Sequence, residues 1–248
     1  SKLEIKDVHF IPISALNGDN VVDRSINMNW YEGSTLMHLL ENIHIGSDHN
    51  HVDCRFPVQY VIRPQTKEFP DYRGYAGRIE GGVFKPGDEV TILPSKIKST
   101  IKSIDTFNSK INEAFSPMSV CMTLNDDIDI SRGDMIVREN NQPIIRQELD
   151  LMVCWMNSKK LILRGKYGIR HTSQTARCII TDVKYKININ TLHRNEEDKE
   201  INLNDIGRIS IKTTKPIFFD NYKRNRNTGS IIIVDEATNE TVGAGMII

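Results

Sequence analysis

Several groups of residues are of types that could bind a metal ion. The densest places six potential ligands within eleven positions: His44, Asp48, His49, His51, Asp53 and Cys54. Metal ligands need a scaffold that holds their spacing, whereas residues 46–51 have the Gly, Ser, Asp and Asn content of a linker. We therefore expect a polar connector without a bound metal. An autonomous metal-binding protein is therefore the least favoured hypothesis for this chain.

Other candidate chemistry is equally sparse. The acidic run of Asp126, Asp127 and Asp129 lacks the glycine and the distal glutamate of a calcium loop, so it indicates a solvated turn. The chain contains no Gly-x-Ser-x-Gly elbow, no His-Glu-x-x-His pair and no Cys-x-x-Cys pair. The four cysteines are widely spaced and are expected to be reduced thiols in the core. We predict no catalytic residues in this chain.

Phosphate-binding motifs decide whether a nucleotide could bind this chain. No run of the form Gly-x-x-x-x-Gly-Lys-Ser/Thr is present. The stretch DYRG at 71–74 fits the loose pattern Asp-x-x-Gly, which arises easily by chance and here precedes a predicted strand. A hairpin is the favoured interpretation.

The elements that would position these residues differ between the first fifty positions and the rest. Residues 8–13 predict a short buried strand, and residues 33–35 offer an N-cap for a helix whose apolar positions are Leu36, Leu39, Leu40 and Ile43. One strand and one amphipathic helix cannot form a core in ~45 residues. This segment is therefore interpreted as the tail of a larger α/β domain.

Beyond residue 50 the helical period is replaced by short β-rich runs. Strands are predicted at 56–62, 75–90 (as a tight hairpin or a meander), 89–93, 99–107, 119–124, 135–138, 149–156, 175–184, 185–189, 206–212, 230–234 and 242–248. Pro86 and Gly87 suit the central positions of a type II turn. Gln142 and Pro143 mark a boundary between two such groups, and the regular spacing is typical of barrels or sandwiches.

Composition and charge narrow the class of protein. The 248 residues are 39% hydrophobic and carry a formal net charge of zero. That zero combines −5 over residues 1–145 with +5 over residues 146–248. No apolar run approaches the ~18–20 residues that span a bilayer, and the first residues lack the apolar core of a signal peptide. We expect a cytoplasmic protein that does not bind membranes.

Eight stretches together resemble a known family. They are FIPISALNGDNVV at 10–22, WYEGSTL at 30–36, FPVQYV at 56–61, YRGYAG at 72–77, DIDISRGD at 127–134, NDIGR at 204–208, NRNTGS at 225–230 and VGAGMI at 242–247. A partly overlapping set, RGYAGRI at 73–79, Gly81, GDEV at 87–90 and ISRGD at 130–134, resembles the second-domain barrel of the translational GTPase superfamily of elongation factor Tu. The full set resembles the large GTP-binding subunit of bacterial sulfate adenylyltransferase, the ATP sulfurylase of sulfate assimilation. One departure is LRGK at 163–166, where that family usually has a Pro-Gly turn.

The resemblance implies a mainly β fold of two consecutive barrels, of the elongation factor Tu domain 2 and domain 3 types. They would follow the last strand and helix of an α/β G domain. The implied domains are residues 1–47 as the C-terminal remnant of a P-loop GTPase domain, 48–143 as the first barrel and 144–248 as the second.

The resemblance also implies a function. The intact enzyme would couple GTP hydrolysis, with Mg²⁺, to the synthesis of adenosine 5′-phosphosulfate by a small catalytic partner subunit. Of the guanine-binding elements only Ser14, Ala15 and Leu16 are present, so no GTP or other cofactor is expected to bind this fragment, which would not be catalytic alone.

One alternative is a pair of tRNA-binding barrels from a translation-type GTPase, for which the basic second half gives some support. A nucleic-acid partner is nevertheless not expected.

Overall fold

The alternating residues beyond position 50 form strands in the computed structural model, which describes residues 8–43, 50–64, 66–67, 71–107 and 109–248. The chain divides into two compact units, residues 1–48 and residues 49–248. Apolar residues at every second position give each strand one face for a core and one for the outside.

The first unit contains a single helix among its described residues, α1 (Leu36–Asn42). Thr35 is its N-cap, and the Thr35 side chain accepts a 3.4 Å hydrogen bond from the His38 backbone N–H. The predicted helix is therefore confirmed. Its apolar positions are only partly covered, and Leu40 is 55% exposed.

The strand predicted for residues 8–13 is wrong for this structure. These residues join no ladder, and the pairing nearest to them is an isolated bridge between Ser14 and Asp19. A strand is stable only beside a second strand that satisfies its backbone groups, and the described part of this unit supplies none. Phe10 is consequently 85% exposed instead of buried.

The second unit begins with a six-stranded antiparallel barrel. Its strands run in the order β4-β9-β1-β2-β8-β5, and a pairing between β5 and β4 closes it. These strands are β1 (Arg55–Ile62), β2 (Gly74–Arg78), β4 (Glu89–Leu93), β5 (Ile97–Asp105), β8 (Ser119–Leu124) and β9 (Met135–Val137). Short strand β6 (Lys110–Ile111) extends β5, while β3 (Val83–Phe84) pairs with β7 (Ala114–Phe115).

A second six-stranded antiparallel barrel follows. Its order is β11-β15-β16-β10-β14-β12, closed by the pairing of β12 with β11. The strands are β10 (Ile144–Trp155), β11 (Lys166–His171), β12 (Gln174–Ile187), β14 (Ile206–Phe219), β15 (Ser230–Val234) and β16 (Thr241–Ile247), with β13 (Arg194–Asn195) added beside β12. The predicted pair of strands at 175–184 and 185–189 is one continuous strand.

Each barrel has its own apolar interior. The first is filled by residues that include Phe56, Phe84 and Met122, and the second by residues that include Trp155, Ile209 and Ile233. The prediction of two consecutive barrels is confirmed. Within the described ranges, no helix is both long and apolar enough to cross a bilayer.

Two turns lie directly before the barrel strands β4 and β11. Gly87 has φ of +91°, and the Asp88 N–H donates to the Lys85 carbonyl oxygen at 3.1 Å, as a type II turn requires. The prediction for Pro86 and Gly87 is therefore confirmed. At the departure from the family pattern, Arg164 takes φ of +63° in a turn closed by a 2.8 Å bond from Gly165 N–H to the Ile162 carbonyl oxygen.

Candidate functional site

The sequence-predicted site residues Ser14, Ala15 and Leu16 begin a tight loop in the first unit. Ser14 N–H donates to the Asp19 carbonyl oxygen at 3.2 Å, and Gly18 N–H donates to the Ser14 carbonyl oxygen at 2.8 Å. Gly18 has φ of +76°, a conformation that favours glycine. The loop places Leu16 outward, 96% exposed.

Asn20 holds this loop in place through hydrogen bonds. The sequence patterns did not predict this role. The Asn20 side chain donates to the Pro12 carbonyl oxygen and accepts from the Ser25 backbone N–H, both at 2.9 Å. Its own carbonyl oxygen accepts from Leu36 N–H, at the start of α1, at 3.0 Å. Asn20 is 2% exposed, so one buried residue links the loop, through its side chain, to the helix, through its backbone carbonyl. The turn-rich run 17–20 was the available signal.

Within the second unit, a buried ion pair joins the two barrels. Arg55, the first residue of β1, donates from Nε and Nη2 to the two carboxylate oxygens of Asp220, each at 2.8 Å. Arg55 Nη1 donates to the carbonyl oxygens of Cys54 at 2.9 Å and Asn141 at 2.6 Å. Thr228 Oγ1 donates to Asp220 at 2.7 Å. The two charged side chains are 1% and 4% exposed, and matched hydrogen bonds offset their loss of solvation.

A second ion pair lies beside the first. Arg224 donates from Nε and Nη2 to the carboxylate of Asp53, each at 2.6 Å. Asn50 and Asn141 donate to the same carboxylate at 2.7 and 2.8 Å. Burial alone would raise the pKa of Asp53, but these hydrogen bonds and the charge of Arg55 hold that pKa well below its usual range.

Apolar and amide contacts complete the contact between the barrels, which we call the barrel junction. Phe218 of the second barrel packs with Leu93, Met135 and Val137 of the first. The Asn225 side chain, in the NRNTGS stretch, donates to the Glu80 carbonyl oxygen at 2.9 Å. An arginine next to the apolar run 56–62 was a signal that the Arg55 side chain has a specific partner. The sequence could not identify that partner, because Asp220 lies 165 positions away.

The Asp-x-x-Gly stretch at 71–74 belongs to the first barrel, where Gly74 begins β2. Arg73 pairs with Asp127 at 2.7 Å and donates to the Ile128 carbonyl oxygen at 2.6 Å, which Tyr75 also contacts at 2.7 Å. The stretch therefore leads into a strand, as predicted, and that strand pairs with β1 in the first barrel. A cavity of about 650 Å³ opens here, and its charged lining consists of Arg63, Asp71, Arg73, Lys102, Asp105, Lys110, Asp126 and Asp127. Four bases face four acids, so the cavity favours neither an anion nor a cation.

The predicted linker ligands do not come together in the described residues. His44, Asp48 and His49 lie outside those residues. Asp53 is held by Arg224, and the Cys54 thiol donates to the Val83 carbonyl oxygen at 3.4 Å. In the described ranges no group of three His, Cys, Asp or Glu side chains is placed to hold a metal.

The four cysteines carry free thiols, but only two of them lie in the core, where all four were predicted. Cys54 and Cys178 are buried, whereas Cys121 and Cys154 are partly covered. Burial raises the pKa of Cys178 to about 12, so this thiol stays protonated at neutral pH. These thiols therefore pack as small apolar groups.

The chain is similar to several known proteins. Residues 148–248, in the second barrel, match the family described as GTP-eEF1A C-terminal domain-like. Among solved structures, Sup35 complexed with GDP matches with a TM-score of 0.72 and 16% identity, over 98% of this chain and 59% of that one. Translation elongation factor SelB from Methanococcus maripaludis matches with a TM-score of 0.65 and 16% identity, over 86% of this chain and 46% of that one. These likenesses show the fold.

Curated relatives are much more similar. The bifunctional enzyme CysN/CysC of Mycobacterium tuberculosis (strain CDC 1551 / Oshkosh) is 49% identical over 100% of this chain and 41% of its own length. Sulfate adenylyltransferase subunit 1 of Alteromonas mediterranea is 45% identical over 100% of this chain and 51% of its own length. The chain thus spans about half the length of these relatives or less. Along its full length, the chain belongs to the family of sulfate adenylyltransferase subunit 1 and the CysN/CysC enzymes.

Proposed function

We propose that this chain is the two-barrel part of the GTPase subunit of a sulfate adenylyltransferase. The whole protein would couple GTP hydrolysis to the formation of adenosine 5′-phosphosulfate and pyrophosphate from ATP and sulfate. The observation that carries this proposal is the 45–49% identity to CysN/CysC and to sulfate adenylyltransferase subunit 1 along the entire chain.

The barrels would serve as scaffold and coupling surface. A small catalytic subunit would adenylylate sulfate, and the barrels would transmit a nucleotide-dependent rearrangement to it. The barrel junction supports this role, because the buried pair Arg55–Asp220 and the partly exposed pair Asp53–Arg224 both link one barrel to the other. Two barrels held in this way would move as one body when one of them is displaced.

The loop that begins at Ser14, Ala15 and Leu16 would contribute backbone groups to the guanine pocket. GTP and Mg²⁺ would be held mainly by the part of the relatives' length that this chain does not span. The division into residues 1–47, 48–143 and 144–248 and the cytoplasmic location are proposed on the same basis.

The coupling proposal is tested with the whole protein and its small partner subunit. ATP and sulfate are supplied with GTP, without GTP, or with a non-hydrolysable GTP analogue, and pyrophosphate release is measured. We expect product formation that requires hydrolysable GTP. Product formation that is independent of GTP, or no product at all, would refute the proposal.

The guanine-loop proposal is tested with Gly18→Val in the whole protein. Gly18 and Gly87 both have positive φ, of +76° and +91°, and a Cβ at either position meets open space. The substitution therefore strains both turns alike, and Gly87→Val is the control. We expect GDP binding to weaken at least fivefold only for Gly18→Val. Equal effects would contradict the assignment.

The tRNA alternative now has weaker support. The translation factors match at 16–17% identity, which shows fold and not ligand. A tRNA affinity that falls steeply with salt would favour the alternative over the sulfate adenylyltransferase proposal.

A further inference from the structure

One end of the outer surface of the second barrel is apolar across five adjacent strands. The strand register aligns the row Ile187, Ile206, Cys154, Ala244 and Ile232, on β12, β14, β10, β16 and β15. These residues alternate with core residues of the same strands, so they point outward. Ile232 is 42% exposed.

The next outward row has three apolar members and two polar ones, and its Tyr185 is only 9% exposed. The register aligns Tyr185, Arg208, Met152, Met246 and Ser230 on the same five strands. The Tyr185 hydroxyl lies 3.8 Å from the Met152 sulfur, and Met246 is 40% exposed. We call the apolar members of both rows the outer apolar face: Ile187, Ile206, Cys154, Ala244, Ile232, Tyr185, Met152 and Met246.

The opposite end of the same strands is polar. Glu148 and Asp150 on β10, and Ser210 and Lys212 on β14, point outward there. Polar residues are usual on the solvent side of an antiparallel sheet. The outer apolar face is therefore a local feature of one end of the barrel and not a general property of its surface.

Two arginines, Arg170 and Arg194, lie beside this face, and a third, Arg208, lies inside its second row. Arg170 is opposite Ile232 in the register of β11 and β15. The Arg194 guanidinium lies 4.8 Å from the centre of the Tyr185 ring, and Arg208 pairs with Asp150 at 2.6 Å. Tyrosine, methionine and arginine are enriched at protein interfaces, where lysine and glutamate are depleted.

Size and charge indicate the kind of partner. Five strands at ~4.8 Å spacing make the face about 19 Å wide, the size of the centre of a standard interface of ~800 Å² per partner. A second copy docked by two-fold symmetry would bring its own arginine rim against this one, which is repulsive. A partner with acidic side chains around a small apolar area complements both features.

We propose that the outer apolar face is the docking surface for a globular protein subunit whose contact area is apolar at its centre and acidic at its rim. This inference rests on the proposed function, under which that subunit is the small catalytic partner. Ile232 and Met246 would lose their remaining exposed area in the complex, and Arg170 and Arg194 would pair with carboxylates at its edge.

The test compares two isoleucines of the same barrel in the whole protein. Ile232 is 42% exposed and Ile179 is 41% exposed, but Ile179 lies outside the outer apolar face, in register with Lys166 and Lys212. We expect Ile232→Glu to weaken the affinity for the small subunit at least tenfold and Ile179→Glu to leave it within twofold. Equal affinities for the two variants would overturn the proposal.

Charge and labelling give independent measurements. Arg170→Glu is expected to weaken binding at least fivefold at low salt, with a smaller difference at high salt, because surface charges are screened. Bound partner is also expected to slow alkylation of Cys154. Protection of Cys154 by tRNA alone would overturn the proposal, as would self-association that Ile232→Glu abolishes.

The two proposals can fail separately. If the wild-type protein binds its partner and forms product with GTP while Ile232→Glu binds normally, only the docking surface is wrong. If the wild-type protein neither binds the partner nor supports GTP-dependent synthesis, the proposed function fails and the docking proposal fails with it.

Discussion

Arg55 and Asp220 form a buried bidentate ion pair between two barrels, although 165 positions separate them along the chain. Arg55 begins the first strand of one barrel, and Asp220 follows the longest ladder of the other. The guanidinium also donates to the Asn141 carbonyl and side-chain oxygens. The Arg55 side chain therefore connects three separate segments of the chain, around residues 55, 141 and 220.

Asp220→Asn is expected to destabilise the protein strongly. The substitution leaves the charge of Arg55 buried without a counter-charge, which typically costs about 3–5 kcal/mol in the free energy of unfolding. Urea denaturation measures the change. Glu148→Gln, which breaks the exposed pair with Lys212, is the control and should change the free energy by less than about 0.5 kcal/mol. A similar small change for Asp220→Asn would show that the junction pair is dispensable.

The lowered pKa of Asp53 predicts that this residue stabilises the protein less as the pH falls. Its pKa is held below the unfolded value of ~3.9, so its contribution is fully present above about pH 4 and is lost as the pH falls through the lower, folded-state value. The difference in unfolding free energy between wild type and Asp53→Asn should therefore shrink when urea denaturation is repeated at pH 6, 4 and 3. A difference that stays constant over this range would contradict the low pKa.

Arg164→Gly is expected to stabilise the protein by about 0.5–1 kcal/mol. Arg164 has φ of +63°, a conformation that is unfavourable for a residue with a Cβ and easy for glycine. Thermal unfolding gives the measurement. The adjacent Leu163 is not among the residues with positive φ, so Leu163→Gly should not stabilise. An equal gain from both substitutions would rule out relief of strain as the cause.

Gly77→Ala is expected to lower the free energy of unfolding by about 1–3 kcal/mol. A Cβ on Gly77 would lie 2.4 Å from the Pro57 carbonyl oxygen and 3.2 Å from the Phe56 ring. Gly168 is also in a strand, but the nearest atom to its Cβ would be Glu236 Cγ at 3.5 Å, which is ordinary contact. Gly168→Ala should therefore be neutral or slightly stabilising. Comparable losses for both variants would argue against the close approach of β1 and β2.

Local patterns predicted most of the fold. Alternation located most strands of both barrels, Thr35 marked the start of α1, and Pro86 followed by Gly87 predicted a turn that the structure contains. These features depend on neighbours within a few residues, so they can be read along the chain. The strand expected at 8–13 failed because a strand depends on a partner that local sequence does not specify.

The candidate sites show the opposite case. Ser14, Ala15 and Leu16 were selected by family resemblance, but the support of their loop by Asn20 became visible only in the structure. By residue type and spacing Asp53 is a candidate metal ligand, whereas the structure shows it paired with Arg224. The outer apolar face could not be predicted from the sequence, because its members come from five strands.

The sequence by itself determined that this chain forms two successive groups of antiparallel strands and that it belongs with sulfate adenylyltransferase subunit 1, because periodicity and motifs are properties of consecutive residues. Only the tertiary structure decided which charges are paired and which outward residues share a surface. Those relationships depend on strand register and on contacts between distant segments, such as Arg55 with Asp220 and Cys154 with Ala244. Many registers are compatible with the same alternation, and the closed barrels select one of them.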